Sequence, residues 1–371
     1  MKKIIVIGAG ILGASTAYHL SSKGAQVTLI DRNDRGQATD AAAGIVCPWL
    51  SQRRNKVWYR LAKGGAKYYP QLIKELEALG ETETGYRRVG AMCLHAEEKK
   101  LDKMIERAEK RREDAPEIGD ITKLTAGETS ERFPLLSEDF ASVYVSGAAR
   151  VDGRSLRLAL IHAGEKKGVE LRYGDARLLE EDGRITGVKL DQETIQADSV
   201  IAAAGVWAKE LFAEAGIEFL VSPQKAQILH FAVQQEDTSH WPVVMPPGSQ
   251  YLLGFPGGRV VAGATHEDEA GLDIRVTAGG MLDVLDKAIE VAPGLRNGEV
   301  METRVGFRPF TPGFLPVFGA VPGLEGVFTA NGLGASGLTV GPYFGSELAK
   351  LVMGEETELD PSDYSVADAI G

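Results

Sequence analysis

Gly8, Gly10 and Gly13 stand in the order G-x-G-x-x-G, and Asp31 follows at the end of the next apolar run. The first glycine of such a loop permits a tight turn, the second lets a pyrophosphate approach the backbone, and the third lets a helix sit close to a strand. A helix opening there offers its unpaired N–H groups and positive dipole end to phosphates. An acid about twenty residues further on accepts hydrogen bonds from a ribose diol and repels a 2′-phosphate. These residues together read as a site for an adenine dinucleotide. A second glycine-rich turn, residues 331–337, precedes a closing helix over 340–353 and aims another helix N-terminus at a cofactor.

The elements that must position these loops can be read from patterning. Residues 2–7 form an apolar, β-branched run, 14–22 a helix with small residues on its early turns, and 26–30 a second strand. Two lysines before an apolar run also resemble a secretory leader, but His19, Lys23 and the β-pattern ending at Asp31 argue against one. Residues 38–44 are mostly alanine and glycine, small side chains where something bulky must come close; the plainer reading is an alanine-rich helix start. A long amphipathic helix is expected over 56–79, interrupted at Pro70, with its aromatic residues in the core. A strand over 89–95, a charged helix over 97–112 and a short helix over 122–133 follow. Strand character returns at 143–151, then a helix at 155–167 and a strand at 169–173. Three closely spaced strands, 176–180, 184–190 and 193–196, are joined first by an Asp182-Gly183 hairpin turn. An apolar strand at 199–203 then runs into Ala204, Gly205 and Trp207. That order belongs to flavin-binding Rossmann folds rather than nicotinamide ones. Strands at 227–233, 250–255, 259–265 and 300–307, with a helix over 278–291, predict an antiparallel sheet that roofs a pocket.

The totals set limits. A chain of 371 residues is too long for one small core and predicts two domains. A net charge of −11 argues against nucleic acid as a partner, because a phosphate-binding surface needs clustered Lys and Arg. The basic run at 99–112 is interleaved with acids at helical spacing and reads as a solvated face. Cys47 and Cys93 are the only cysteines, so no disulfide framework is implied and a reducing cytoplasm is the simplest location. No apolar run is long enough to span a bilayer, and no metal site is expected.

Five motifs in order carry a resemblance that runs nearly end to end: GAGILG at 8–13, AAAG at 41–44, AAGVW at 203–207, GFRP at 306–309 and GLGASG at 332–337. The chain resembles the D-amino-acid oxidase (DAO) superfamily of FAD-dependent oxidoreductases, nearest to bacterial glycine oxidases and D-amino-acid dehydrogenases. The resemblance implies an α/β chain, α+β overall, with a Rossmann-type FAD-binding domain on a parallel sheet and a substrate domain on an antiparallel sheet. The implied cofactor domain is discontinuous, 1–50, 140–220 and 306–371; the substrate domain takes 51–139 and 221–305. Gly8, Ala9, Gly10, Ile11, Leu12 and Gly13 would cradle the FAD pyrophosphate, with Asp31, Arg32 and Thr39 beside them. Ala42, Ala43 and Gly44 would let the diphosphate and ribityl chain pass, Ala176 would touch the adenine, and Ala204, Gly205 and Trp207 would flank the cofactor. Gly332, Gly334, Ala335, Ser336, Gly337, Leu338 and Thr339 would lie along the flavin, where helix N–H groups meet its negative edge.

The same resemblance makes Arg308, which would also touch the cofactor, the anchor of a substrate carboxylate, with Tyr251 beside it. An arginine beside proline otherwise forms a surface or interdomain ion pair, and an isolated strand tyrosine otherwise packs in a core. Two departures from the family pattern stand out. Asp40 occupies a position usually held by serine and should turn away from a diphosphate, and Ala335 and Ser336 stand where glycine oxidases carry a further arginine. The usual covalent attachment residues are missing, so FAD should be non-covalent. The implied reaction is oxidative deamination of glycine, sarcosine or a D-amino acid, by hydride transfer from the α-carbon to flavin N5. The resulting imine hydrolyses to an oxo acid, and oxygen, giving hydrogen peroxide, or another acceptor takes the electrons. The alternatives are a flavin-dependent 2-hydroxy-acid oxidase or dehydrogenase, with His266 as the nearest base although a histidine followed by acids in a loop usually faces solvent, or a flavin-binding subunit of a larger amine-oxidising complex. A small amino-acid substrate is the expected partner, membrane integration is not, and a homo-oligomer stays open.

Overall fold

The computed structural model describes residues 1–234 and 237–371. Its first sheet has six strands in the order Val317–Ala320, Val327–Asn331, Ser199–Ala202, Lys3–Ile7, Gln26–Asp31 and Glu170–Tyr173. All neighbours pair in parallel except the first two. Ile4, Ile5, Val6 and Ile7 are buried without alternation, as expected of a central parallel strand covered on both faces. The three strands Ala176–Glu181, Arg184–Leu190 and Glu193–Gln196 form the expected meander as a separate antiparallel sheet.

A second large sheet has eight strands, running Glu299–Phe310, Ser222–Ala232, Arg259–Gly263, Tyr251–Phe255, Val243–Met245, Ala91–His95, Ala141–Val145 and Ile121–Leu124. It is antiparallel except where Val243–Met245 meets Ala91–His95. Ala141–Val145, inside the span expected of the cofactor domain, pairs with this second sheet, and Glu299–Phe310 carries it four residues past the expected boundary at 306.

Several local expectations change. The helix expected over 122–133 is a strand, Ile121–Leu124, followed by a shorter helix, Ala126–Arg132, because Thr125 caps that helix in a reciprocal box with Glu128. Residues 143–151 are broken into Ala141–Val145 and Ala149–Arg150 by a turn. Pro70 does not divide its helix, which runs unbroken over Lys56–Ala78. No helix among the described residues is long and apolar enough to cross a membrane.

The first helix, Ile11–Ser22, is buried on nearly every side, wedged against the closing helix, Gly337–Met353. A Cβ on Gly345 would lie 2.9 Å from the Leu12 carbonyl oxygen, and Ser15 Oγ donates to the Pro342 carbonyl at 2.7 Å. His19 closes this seam: its Nδ1 lies 2.6 Å from the Ser15 carbonyl and its Nε2 2.5 Å from the Tyr68 hydroxyl. Burial lowers the His19 pKa to about 4. His230, on the second sheet, is also buried, both ring nitrogens lack a hydrogen-bond partner among the described residues, and burial followed by the Arg304 charge lowers its pKa to about 4.

Both histidines therefore stay neutral in the folded protein at pH values where the unfolded chain protonates them. Their contribution is fully present above pH ~6.5 and is lost as pH falls toward 4, at most ~3 kcal/mol for each ring. Thermal melting is expected to drop steeply between these pH values. His230→Leu, which removes a buried imidazole with no partner among the described residues, should flatten the slope; an unchanged slope would show that His230 contributes nothing to it.

Candidate active site

One deep cavity runs between the two large sheets, from the loop after Lys3–Ile7 to the strands Tyr251–Phe255 and Glu299–Phe310. At its first end the glycine loop is set by close backbone approach. Gly8 has φ +99°, and a Cβ there would lie 2.5 Å from the Ala203 carbonyl oxygen. A Cβ on Gly13 would lie 1.8 Å from the Gly8 carbonyl oxygen, so only glycine lets the helix follow the strand this closely. Gly10, Ile11 and Leu12 line the cavity, whereas Ala9 and Gly13 sit behind the lining.

Asp31 organises this loop. Its Oδ2 accepts from the Ala9 N–H at 2.6 Å, and its Oδ1 accepts from the Asn33 N–H at 2.6 Å and Gln37 Nε2 at 2.9 Å. Its carboxylate lines the cavity while three protein donors already occupy it, so holding the turn is part of its work. Arg32 lies beside it within 3.2 Å of Asp34, Asp175 and Glu210, its charge balanced by acids. Ala176 lines the same end, joined by Gly174 and Arg177, which no motif marked.

Along the middle, Thr39, Ala42, Ala43 and Gly44 form one wall. Thr39 Oγ1 accepts the Ile11 N–H at 3.0 Å. Gly44 owes its identity to packing: it has φ +76°, and a Cβ would lie 1.8 Å from the Val151 carbonyl oxygen. Asp40 does not line the cavity; one of its carboxylate oxygens sits 3.5 Å from Arg157. Ala204, Gly205 and Trp207 form the opposite wall. Asn331, read in the sequence only as the start of the second glycine-rich turn, ties that turn to the one at Gly205. Its Nδ2 donates to the Gly205 carbonyl at 2.9 Å, and its Oδ1 accepts the Gly332 N–H at 2.7 Å.

Gly334, Ala335, Gly337, Leu338 and Thr339 complete the lining; Gly332 and Ser336 do not reach it. Gly332 is held by Thr311, whose Oγ1 would be 1.9 Å from a Cβ, and Ser336 Oγ accepts Trp58 Nε1 at 3.1 Å. The first and closing helices share an unusual trait. Neither is capped by its own N-cap side chain or carries an acid in its first turn, and the first residues of both face this cavity; at the first helix Thr39 takes the Ile11 N–H. Two uncapped helix ends present N–H groups and partial positive charge to one space, a cradle suited to a diphosphate and to an electron-rich ring edge.

At the far end stand Arg308, Tyr251, Ser249 and His266. Arg308 donates from one terminal nitrogen to Gln224 Oε1 at 2.8 Å, and its charge lies beside the Tyr251 hydroxyl. No carboxylate among the described residues lies within ion-pair distance of it. Burial lowers the Arg308 pKa and raises that of Tyr251, and the contact between the two groups opposes both shifts. Gly263 makes room for the phenol, whose oxygen would be 2.6 Å from a Cβ. His266 faces this end, and its pKa is lowered first by burial and then by the Arg308 charge. Ala226, Ile228 and Phe307 supply apolar walls.

The chain matches the family described as FAD dependent oxidoreductase (DAO) over residues 3–351. It is 62% identical over 371 residues to the uncharacterized oxidoreductase YurR of Bacillus subtilis (strain 168), covering 100% of both chains. It is 28% identical over 376 residues to a glycine oxidase of Pseudomonas putida, again covering 100% of each. The crystal structure of an iminodiacetate oxidase from Chelativorans sp. BNC1 superposes with a TM-score of 0.94 at 47% identity, covering 98% of both chains. Over a mixed α/β fold whose glycine loops and uncapped helices suit a flavin dinucleotide, the protein belongs to the FAD-dependent oxidoreductase family and uses FAD as its cofactor.

Proposed function

We propose that the protein oxidises the C–N bond of a small amino acid held by its carboxylate on Arg308 and Tyr251, with glycine and N-substituted glycines as the substrate class. The observation that carries this reading is the half-buried Arg308 guanidinium, beside a phenol and within ion-pair distance of no acid among the described residues, at the far end of the cofactor cavity. An arginine fork matches a carboxylate bidentately, and a buried one without a counter-ion favours an anionic ligand. The names of two relatives support the class: glycine and iminodiacetate each carry a carboxylate on the carbon attached to nitrogen. The small Ala335 in the lining leaves space for an N-substituent.

Each group then has a task. Arg308 and Tyr251 fix the carboxylate and so aim the α-carbon, a gain in orientation that needs no dedicated side-chain base. Ala226, Ile228 and Phe307 keep water from the reacting end. The N–H groups at the start of the closing helix stabilise negative charge that develops against them. Bound FAD supplies the two-electron acceptor. The imine product hydrolyses to an oxo acid.

The test is anaerobic mixing of the holoenzyme with glycine, sarcosine, iminodiacetate, D-alanine and D-proline, following loss of the visible flavin absorbance. Bleaching by one of these is expected, and readmitted air then sorts an oxidase from a dehydrogenase. A second reading, oxidation of a 2-hydroxy acid, is favoured by one observation: His266 faces the cavity and its lowered pKa leaves it free to accept a proton. A flavin bleached by glycolate or lactate and by none of the amines would establish that reading in place of the first.

A further inference from the structure

From the geometry behind Arg308 we infer that Gln224 and Asp268 form a polarity lock, which positions the guanidinium and keeps it unneutralised for a substrate carboxylate. The inference rests on the carboxylate-anchoring reading above. Gln224 Nε2 donates to Asp268 Oδ1 at 2.7 Å, and Gln224 Oε1 accepts from Arg308 at 2.8 Å. A carboxylate can only accept and a guanidinium can only donate, so one orientation of the amide satisfies both neighbours. Asp268 thereby fixes which end of Gln224 faces Arg308. The amide is also a spacer. It passes on the orienting effect of an acid while holding that acid out of ion-pair distance from the guanidinium.

The fold builds this arrangement from strand register. Lys225 and Glu267 form an isolated antiparallel bridge, with the Lys225 N–H donating to the Glu267 carbonyl at 3.2 Å and the Glu267 N–H to the Lys225 carbonyl at 3.0 Å. That register sets Gln224 beside Asp268, and Gln224 pairs with Arg308 across the strands Ser222–Ala232 and Glu299–Phe310. The bridge is pinned by Lys225, whose fully buried Nζ sits 3.6 Å from both Glu267 and Asp273. Gln227 adds bonds from its Nε2 to Glu267 Oε1 at 2.7 Å and to Thr277 Oγ1 at 2.9 Å. These ion pairs and hydrogen bonds behind one glutamine hold the segment carrying Asp268 in place.

Gln224 is thus a specificity-determining and positioning residue. A glutamate in its place would put a carboxylate directly on Arg308 and compete with the substrate. An asparagine at 268 could donate as well as accept, so the Gln224 amide would be free to turn its NH2 toward the guanidinium and push it aside.

The experiment titrates the oxidised holoenzyme with acetate, a carboxylate that carries no amine to oxidise, and reads the perturbation of the flavin spectrum. Gln224→Glu is expected to weaken acetate binding about a hundredfold, the scale of a displaced buried charge pair. Asp268→Asn, at an exposed side chain and close in shape, should weaken it about tenfold, as for one lost charge-assisted hydrogen bond. It should raise the substrate KM by a similar factor, with flavin reduction at saturation within about twofold of the parent. Parent and both variants binding acetate alike would overturn the lock. A parent enzyme that does not respond to acetate would overturn the anchoring reading itself. Should Gln224→Glu fail to retain FAD, Asp268→Asn decides alone: unchanged acetate affinity refutes the lock, and a tenfold loss with KM raised and saturated reduction kept supports it.

Discussion

Replacing Arg308 by alanine is expected to lower kcat/KM for the amino-acid substrate about a thousandfold while the purified protein stays yellow. Removing one partner of a buried, hydrogen-bonded charge pair costs about 2–5 kcal/mol, and ~4 kcal/mol corresponds to three decades in rate. The loss should appear in KM, because the anchor is gone, and also in kcat, because an unanchored α-carbon spends less time correctly aimed. Flavin retention is expected because the glycine loop and the two helix ends that line the cavity do not depend on Arg308, whose hydrogen bond goes to Gln224. Arg308→Lys should recover only a small part of the activity, since an ammonium cannot reproduce the planar fork. Anaerobic reduction kinetics across substrate concentrations measure both parameters. Unchanged turnover and KM in Arg308→Ala would remove the anchor from the mechanism.

The second large effect separates two glycines of one motif. Gly13→Ala is expected to give a colourless protein whose own melting temperature falls by several degrees. Its new Cβ would lie 1.8 Å from the Gly8 carbonyl oxygen, main chain that cannot move without parting strand from helix. Gly10→Ala has a different cost. Its Cβ meets only Thr39 Oγ1, at 3.4 Å, so the apoprotein should melt nearly as the parent does. Gly10 lines the cavity, however, and a methyl group there displaces a pyrophosphate, weakening FAD about tenfold or more. Melting of apoprotein and flavin titration, run on both variants, read the two effects apart. Equal phenotypes would mean that the motif acts as one undivided unit.

What the sequence made legible follows the range of the forces involved. The glycine loop, Asp31 and the first helix lie within a single turn-and-strand unit, so spacing specifies them; Lys3–Ile7 and Gln26–Asp31 fall where patterning puts them, and the helix opens at Ile11, ahead of the expected 14. The meander was readable for the same reason, since Asp182 and Gly183 both take positive φ in its hairpin turn. Ser336 and Gly332 were assigned to the cofactor by their motif, yet Trp58 and Thr311, far away in the chain, claim them instead. The turn of Asp40 away from the cavity was legible from charge, though its neighbour Arg157 was not. Gln224 and Gln37 left no signal at all, and Asn331 is legible only as the start of a glycine-rich turn. Gln224 acts through partners that sheet register brings near, Gln37 through Asp31 on a neighbouring turn and Asn331 through Gly205, and an amide carries no spacing rule. Thr122–Leu124 was misread as helix because its capping residue lies three positions later than the polar run suggested, at Thr125.

The seam between the first and closing helices also dictates when in the life of the chain the flavin can be captured. Ser15 and Pro342, joined by a hydrogen bond, are 327 positions apart, and the two uncapped helix ends lie on either side of that seam. A ribosome that has long since released the glycine loop has not yet made its counterpart. Until Gly337–Met353 emerges, Leu12 and Ser15 face an empty groove. A complete cradle therefore waits on synthesis of that helix, and chains truncated before it are expected to bind FAD poorly.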